Sequence, residues 1–229
     1  MKRQYLQTSV VIAVILLIQA APAFSADNKG KKNEPVSLSA LAAKADLVAI
    51  AQVKDTDYVF TRAFPSDGSA YLRTLITYKA GNPGEDIFEV YEKGLHPFEC
   101  YFENPTVFEE GRRYLVFLRR NPQDPESYRG FEEGCALEIF VTKDNRYALK
   151  YPADGINLSD DLAPLVSRFE FRDNYAVVAE EDLSPAERDT LLAKDLIVAY
   201  QGNYKYTHGV DLTTARRLIS ADALKPGLN

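Results

Sequence analysis

Leu47-Val48-Ala49-Ile50-Ala51-Gln52-Val53 is the stretch that decides the fold, because six of its seven residues are apolar. Every second side chain of a β-strand points to the same side of its sheet. One face of a strand over residues 47–53 is therefore entirely apolar, and the other face carries a single polar side chain. The stretch predicts a strand that is buried on most of both faces.

The same period of two recurs further along the chain, with turn residues between the runs. A short helix that begins after Ser37 is predicted to precede the first strand and to pack on the sheet. Five or six short strands without crossover helices are typical of an antiparallel barrel or sandwich. The further predicted strands are residues 71–79, 87–92, 113–118, 135–141 and 147–151, with a turn at 81–84 and a polar loop at 121–134.

From residue 154 onward, the apolar residues follow the period of a helix. Ser159 predicts one helix start, although Pro164 fits that helix only if it begins nearby or kinks there. Ser184 and Pro185, with Glu187 closing a capping box, are a stronger helix start. We therefore expect a mostly helical extension over residues 153–229. The predicted helical segments are residues 159–169, 184–193 and 212–219.

The N-terminus has the three parts of a secretory signal peptide: positive residues at 2–3, an apolar run at 10–18 and small residues at 21–26. The alternative is a transmembrane anchor, which needs about 20 apolar residues. The run reaches only 14 residues even when extended to residue 23. We therefore predict a signal peptide at residues 1–26 and a flexible leader at 27–35. The predicted location is periplasmic or extracellular, and the cleavage positions considered are Ala23, Ser25 and Ala26.

Cys100 and Cys135 are the two cysteines of the chain. In an oxidising compartment an even number of cysteines indicates a disulfide. A pair of free thiols or a redox couple is the alternative, but the C-x-x-C spacing that would favour a redox couple is missing. We predict a structural disulfide between them.

The charge of the chain bears on its partners. The formal net charge is -6 at pH 7, whereas nucleic-acid binding needs a concentrated basic face. We therefore predict no nucleic-acid partner. Because no second apolar segment of spanning length follows the signal peptide, we also predict no stable membrane insertion after cleavage.

Three segments resemble the netrin-like OB-fold module that is shared with the tissue inhibitors of metalloproteinases, as it occurs in exported bacterial proteins. They are residues 45–53 (ADLVAIAQV), 78–81 (YKAG) and 108–118 (FEEGRRYLVFL). The resemblance implies a five-stranded antiparallel Greek-key barrel over residues 36–152 and a non-catalytic binding role. The inhibitors chelate the protease zinc through an N-terminal cysteine. This chain has a lysine-rich leader without cysteine, so that mechanism is not expected here.

Residues 94–103 (GLHPFECYFE) place a histidine, carboxylates, a thiol and aromatic side chains on one predicted loop. One interpretation is a metal or nucleophile site with a Cys100 thiolate and His96 as base. The other is a loop held by a disulfide at Cys100, with aromatic side chains that cover the end of the barrel. Those aromatic side chains could also be core. The binding-face candidates are His96, Phe98, Tyr101, Phe102, Phe108 and Tyr128.

The remaining chemistry-bearing residues give weaker signals. His208 lies in residues 204–209, which are predicted to be a turn, too far from His96 in the sequence to indicate a zinc site. Paired carboxylates such as Asp160 and Asp161 lack the spacing of a calcium loop. None of the common catalytic motifs is present. We predict no metal and no cofactor.

Three functions remain open at this point. The first is an exported, non-enzymatic module that binds a protein or peptide in the cell envelope or outside the cell. The second is a hydrolase or metal-dependent enzyme centred on His96 and nearby carboxylates. The third is a structural component of the envelope whose C-terminal helices mediate assembly.

Overall fold

The computed structural model of the protein describes residues 34–80, 86–105 and 110–223. The predicted signal peptide, most of the predicted leader and the predicted turn at 81–84 lie outside the described residues.

The described residues form three α-helices, twelve strands and three short 3₁₀ turns. The helices are α1 (Leu38–Lys44), α2 (Pro185–Ala193) and α3 (Leu212–Ala223). The strands are β1 (Leu47–Thr61), β2 (Phe64–Ala80), β3 (Ile87–Lys93), β4 (Arg113–Arg120), β5 (Ser127–Arg129), β6 (Ala136–Val141), β7 (Tyr147–Lys150), β8 (Ser167–Arg168), β9 (Val177–Val178), β10 (Ile197–Tyr200), β11 (Asn203–Tyr206) and β12 (His208–Asp211). The 3₁₀ turns are Ala163–Leu165, Asn174–Ala176 and Glu180–Asp182.

Nine strands form one mixed sheet in the order β1-β2-β3-β5-β4-β6-β7-β12-β8. Strand β1 also pairs with β4, from Leu47 opposite Leu118 to Gln52 opposite Arg113, so the first five strands of that order close into a ring. Within the ring, β3 and β5 run parallel. The sheet then continues outward from β4 through β6, β7, β12 and β8. A separate sheet has the order β10-β11-β9.

The predicted fold, a five-stranded antiparallel barrel with a helical C-terminus, is wrong. The main sheet has nine strands of mixed direction, and the C-terminal region supplies two of them, β8 and β12. A second sheet also lies in that region. The missed strands are only two to four residues long. Two or three residues are too few for a period of two to be recognised, and the four-residue strands lie where the apolar residues were interpreted as helical.

The predicted C-terminal helices have three different outcomes. Helix α2 is confirmed, with the Ser184 side chain accepting a hydrogen bond from Glu187 N at 3.3 Å. The segment predicted as helix over 212–219 is α3. The helix predicted from Ser159 is absent: Ser159 N donates instead to Val36 O at 2.9 Å, and Pro164 lies in a single 3₁₀ turn. The predicted turn at 204–209 is occupied by β11 and β12.

Strand β1 contributes side chains to two hydrophobic cores, one on each of its faces. Leu47, Ala49, Ala51 and Val53 pack with side chains of β2, β3 and β4 inside the ring. Val48 and Ile50 face the other way and pack in a second core with residues of α1 and α3. The predicted burial of both faces is therefore confirmed. A third core, around Phe140 and Phe171, lies between β6, β7 and the C-terminal segments.

Strands β1 and β2 extend beyond the ring as a hairpin. The last β2 residue that also pairs with β3 is Asp67, opposite Lys93. We call residues 59–66 the arm, because in the described chain these residues pair only with each other and with Asp67. Three large apolar side chains of the arm are more than half exposed: Val59 (64%), Phe60 (59%) and Phe64 (61%).

Within the described residues, none of the helices combines the length and the hydropathy that crossing a membrane requires.

Candidate functional site

A cavity of about 420 Å³ lies at the end of β3. Strand β3 and the loop that follows it supply one wall, and Arg119 of β4 and Arg129 of β5 extend the lining from the neighbouring strands. We call it the His96 cavity. It is lined by Glu92, Lys93, His96, Pro97, Arg119, Arg129, Gly130, Phe131 and Glu132.

Glu92 is the buried anchor of this site, with only 4% of its surface exposed. It shares the buried face of β3 with Phe88 and Val90, so its carboxylate reaches the end of the ring interior. Its oxygens accept hydrogen bonds from Lys93 N at 2.8 Å and Cys100 N at 3.0 Å. A buried carboxylate is tolerated only when such donors replace its hydration. Glu92 therefore ties the start and the middle of the loop to the ring.

His96 is held by groups on three sides. Its Nε2 lies 3.3 Å from Glu92 Oε1, and its Nδ1 lies 3.1 Å from the Pro97 carbonyl oxygen. Its backbone N donates to Glu99 at 3.0 Å. Burial alone would lower the pKa of His96, but the Pro97 carbonyl and the two carboxylates together raise it above the ordinary value of 6.5.

Two arginines complete the positive lining. The Arg129 guanidinium lies 4.0 Å from Glu92 Oε1 and 5.7 Å from the centre of the Tyr91 ring. Arg119 Nε donates to Gly130 O at 3.0 Å, and its guanidinium lies over the Phe131 ring. Guanidinium groups fixed in this way keep N–H donors available for a carboxylate ligand.

The two cysteines hold the loop to the start of β6. The sulfur atoms of Cys100 and Cys135 lie at bonding distance, 2.13 Å, so the predicted pairing is confirmed. Gly130 passes directly beside them: a Cβ at this position would lie 2.0 Å from the Cys100 sulfur. A side chain at 130 would therefore displace the disulfide. A bonded sulfur cannot serve as the nucleophile considered in the sequence analysis.

The arm is connected to the same loop. Phe102 N donates at 3.0 Å to the hydroxyl of Tyr58, the residue before the arm, and the Tyr58 and Tyr101 rings pack edge to face. Gly94 N donates to Ser66 O at 2.9 Å. Leu95, which follows directly, is 57% exposed. The arm and the loop that lines the cavity are therefore joined at Ser66 and Gly94, and both carry exposed apolar side chains.

The candidate binding residues separate into three groups. His96 lines the cavity, and Phe98 (36% exposed) and the half-buried Tyr101 lie on the same loop. Burial, followed by the charges of Glu92 and Glu99, raises the pKa of Tyr101 to about 12, and its hydroxyl donates to Gly94 O. Phe102 and Tyr128 are core residues of the ring, and Phe108 lies outside the described residues.

The charged lining residues Glu92, Lys93, Arg119 and Arg129 were among those missed in the sequence. Only Glu92 carries a recognisable signal, because in the run IFEVYE it occupies the same face as Phe88 and Val90. A carboxylate in register with apolar side chains indicates a paired, buried charge. Arg119 and Arg129 are brought to the cavity by strand pairing and carry no local signal.

In residues 34–80, 86–105 and 110–223, no group of three or more His, Cys, Asp or Glu side chains is placed to hold a metal ion. No protein-family model, curated protein or solved structure matches the chain.

Proposed function

We propose that this protein is an exported, non-catalytic binding module that recognises a protein partner through the His96 cavity and the neighbouring arm. The observation that carries the proposal is the fixed loop between them. It lines the cavity through His96 and Pro97, and it bonds to the arm through Gly94 N and Ser66 O.

The charge of the cavity favours a carboxylate. Lys93, Arg119 and Arg129 are cations, and the raised pKa of His96 favours a fourth positive charge, although Lys93 Nζ also lies 3.3 Å from Asp67 Oδ2. The lining carboxylates Glu92 and Glu132 offset part of this charge, and the oxygens of Glu92 are already bonded to the loop. Bidentate contacts to a carboxylate are the geometry that arginine suits best. The proposed partner therefore inserts an acidic side chain or a C-terminal carboxylate.

The exposed side chains of the arm extend the contact. Val59, Phe60 and Phe64 supply apolar area of the kind that dominates binding at the centre of interfaces. Because the disulfide and Glu92 already order the loop, little conformational entropy is lost on binding. The proposed partner segment is therefore apolar, with one carboxylate.

Fluorescence anisotropy with labelled hexapeptides tests this proposal. One series carries apolar residues and a free C-terminal carboxylate, and the second carries the same residues with an amidated end. We expect the free acids to bind more tightly. Arg129→Gln should weaken their binding about tenfold, which corresponds to the loss of one charged hydrogen bond. Arg188→Gln, which changes an arginine of α2 outside the cavity, is the matched control.

Two binding results would count against the proposal. One is equal binding of both peptide series by the protein and by Arg129→Gln. The other is binding to phosphatidylglycerol vesicles in the absence of any peptide binding. If Phe60→Ser/Phe64→Ser then lost vesicle binding, the arm would be assigned to a membrane surface. Hydrolysis of the peptides would equally contradict a non-catalytic role.

A further inference from the structure

A second groove, separate from the His96 cavity, lies where the three-stranded sheet meets the segment after β8. Its volume is about 440 Å³. Phe171 and Tyr206, both buried, contribute aromatic rings to its lining. Four cationic side chains also line it, namely Lys143, Arg168, Arg172 and Lys205.

The groove has an excess of positive charge. Glu170 is its single acidic lining residue, and its carboxylate lies 2.6 Å from Lys143 Nζ. Arg168 and Arg172 are exposed, and neither forms an ion pair with another residue that the structure describes. Lys205 Nζ lies 4.8 Å from the centre of the Tyr200 ring. Three cations are therefore available to an anionic ligand.

Strand β10 borders this groove and has a free edge. Among residues 34–80, 86–105 and 110–223, the order β10-β11-β9 leaves β10 paired on one side only. Its sequence, Ile197-Val198-Ala199-Tyr200, has no lysine, proline or charged residue of the kind that protects edge strands from further pairing. Val198 lines the groove, and Val198 and Tyr200 are 37% and 38% exposed.

The hairpin register identifies the free backbone groups. Gln201 and Gly202 both have positive φ (51° and 82°) and form a two-residue turn between Tyr200 and Asn203. In such a hairpin the residues that flank the turn bond to each other, and the pairs then alternate. Ala199, opposite Tyr204, is therefore in a pair without hydrogen bonds, and its N–H and C=O point away from β11. Ala199 is exposed.

We infer that β10 accepts an extended, acidic segment of a partner protein, which adds to its free edge as a further strand. The backbone of that segment bonds to the outward N–H and C=O of Ala199, and every second side chain lies on the Val198 face, where carboxylates meet the cations of the groove. A second copy of this chain is disfavoured as the occupant, because edge-to-edge pairing would bring two sets of the same cations together.

The test uses a labelled acetyl-Glu-Val-Glu-Val-Glu-Val-amide peptide and the full chain. Ala199→Pro removes the outward N–H and leaves the bonds to β11, because proline is tolerated on edge strands. We expect Ala199→Pro to weaken binding about tenfold, the loss expected when one backbone bond of an added strand is removed. Ala199→Val, which keeps the N–H, should bind like the unmodified chain. Arg168→Gln/Arg172→Gln should weaken binding and reduce its salt dependence.

Hydrogen exchange gives a readout that does not depend on the folding of a variant. Saturating peptide should slow exchange at the Ala199 amide of the unmodified chain, while the Val198 amide, which already bonds to β11, should change little. Unchanged Ala199 exchange overturns the inference, as does equal binding of the lysine analogue. Concentration-dependent dimers without peptide binding would assign the edge to a second copy. Arg129→Gln should leave peptide binding at β10 unchanged, which would show that this site is distinct from the His96 cavity.

Discussion

At the scale of single residues, the surroundings of His96 make the stability of the protein depend on pH. The pKa of His96 is raised in the folded chain by the Pro97 carbonyl and by Glu92 and Glu99, against the opposing effect of burial. Arg129 is the opposing charge nearby, 4.0 Å from Glu92. A raised pKa means that folding stabilises the protonated imidazole. That stabilisation is complete below about pH 6.5, the pKa of an unfolded histidine, and is lost as pH rises through the folded pKa.

We therefore expect the free energy of unfolding to fall between pH 6 and pH 8 by more in the unmodified chain than in His96→Gln. Because 38% of the His96 side chain is exposed, the difference should stay below about 1 kcal/mol. Urea denaturation at both pH values measures it. His208→Gln, which removes the other histidine, should keep the difference. A His96→Gln variant with the same pH dependence as the unmodified chain would show that the Glu92 contact does not favour the proton.

At the scale of elements, we expect the arm to contribute to partner binding but little to the stability of the fold. More than half of the surface of Phe60 and of Phe64 is exposed, whereas Phe117 of β4 is fully buried. We expect Phe60→Ser/Phe64→Ser to change the free energy of unfolding by no more than about 0.5 kcal/mol, as for other surface substitutions. Phe117→Ala, the comparison in the core, should cost about 3–5 kcal/mol. Chemical denaturation measures both, and a loss above about 2 kcal/mol in the arm variant would show that its rings pack within the protein.

Elements also differ in how well the sequence predicts them. The run of residues 47–53 and the cap formed by Ser184 and Pro185 were predicted correctly, because their signals are local. Strand β5 could not be found: it is three residues long and is held by pairing with β3 and β4. The lining of the His96 cavity was predicted only in part, for the same reason. His96 lies in a conspicuous loop, whereas Arg119 and Arg129 reach the cavity only through strand order.

At the scale of the whole molecule, the C-terminal region belongs to the main fold. Strand β12 pairs with β7 on one side and β8 on the other, and Ala215 and Ile219 of α3 pack in the same core as Leu41 of α1. The position after residue 152, where the sequence suggested a domain boundary, therefore falls between strands of a single sheet.

We expect a chain that ends at residue 152 to lose cooperative unfolding and to aggregate, because it exposes the edge of β7 and part of the core. A chain of residues 33–229, which keeps the larger compact unit, should unfold in one transition. Thermal unfolding followed by circular dichroism compares the two. A cooperative, soluble chain that ends at residue 152 would contradict this.

The position of β12 also constrains the order in which the chain can fold. Strand β8 belongs to the main sheet only through β12, which is made about 40 residues later and lies near the C-terminus. During synthesis or translocation from the N-terminus, the sheet therefore stays incomplete until β12 has emerged. Such long-range pairing folds slowly. For a chain exported before it folds, this delay would keep the polypeptide in a form that can still be threaded through a membrane pore.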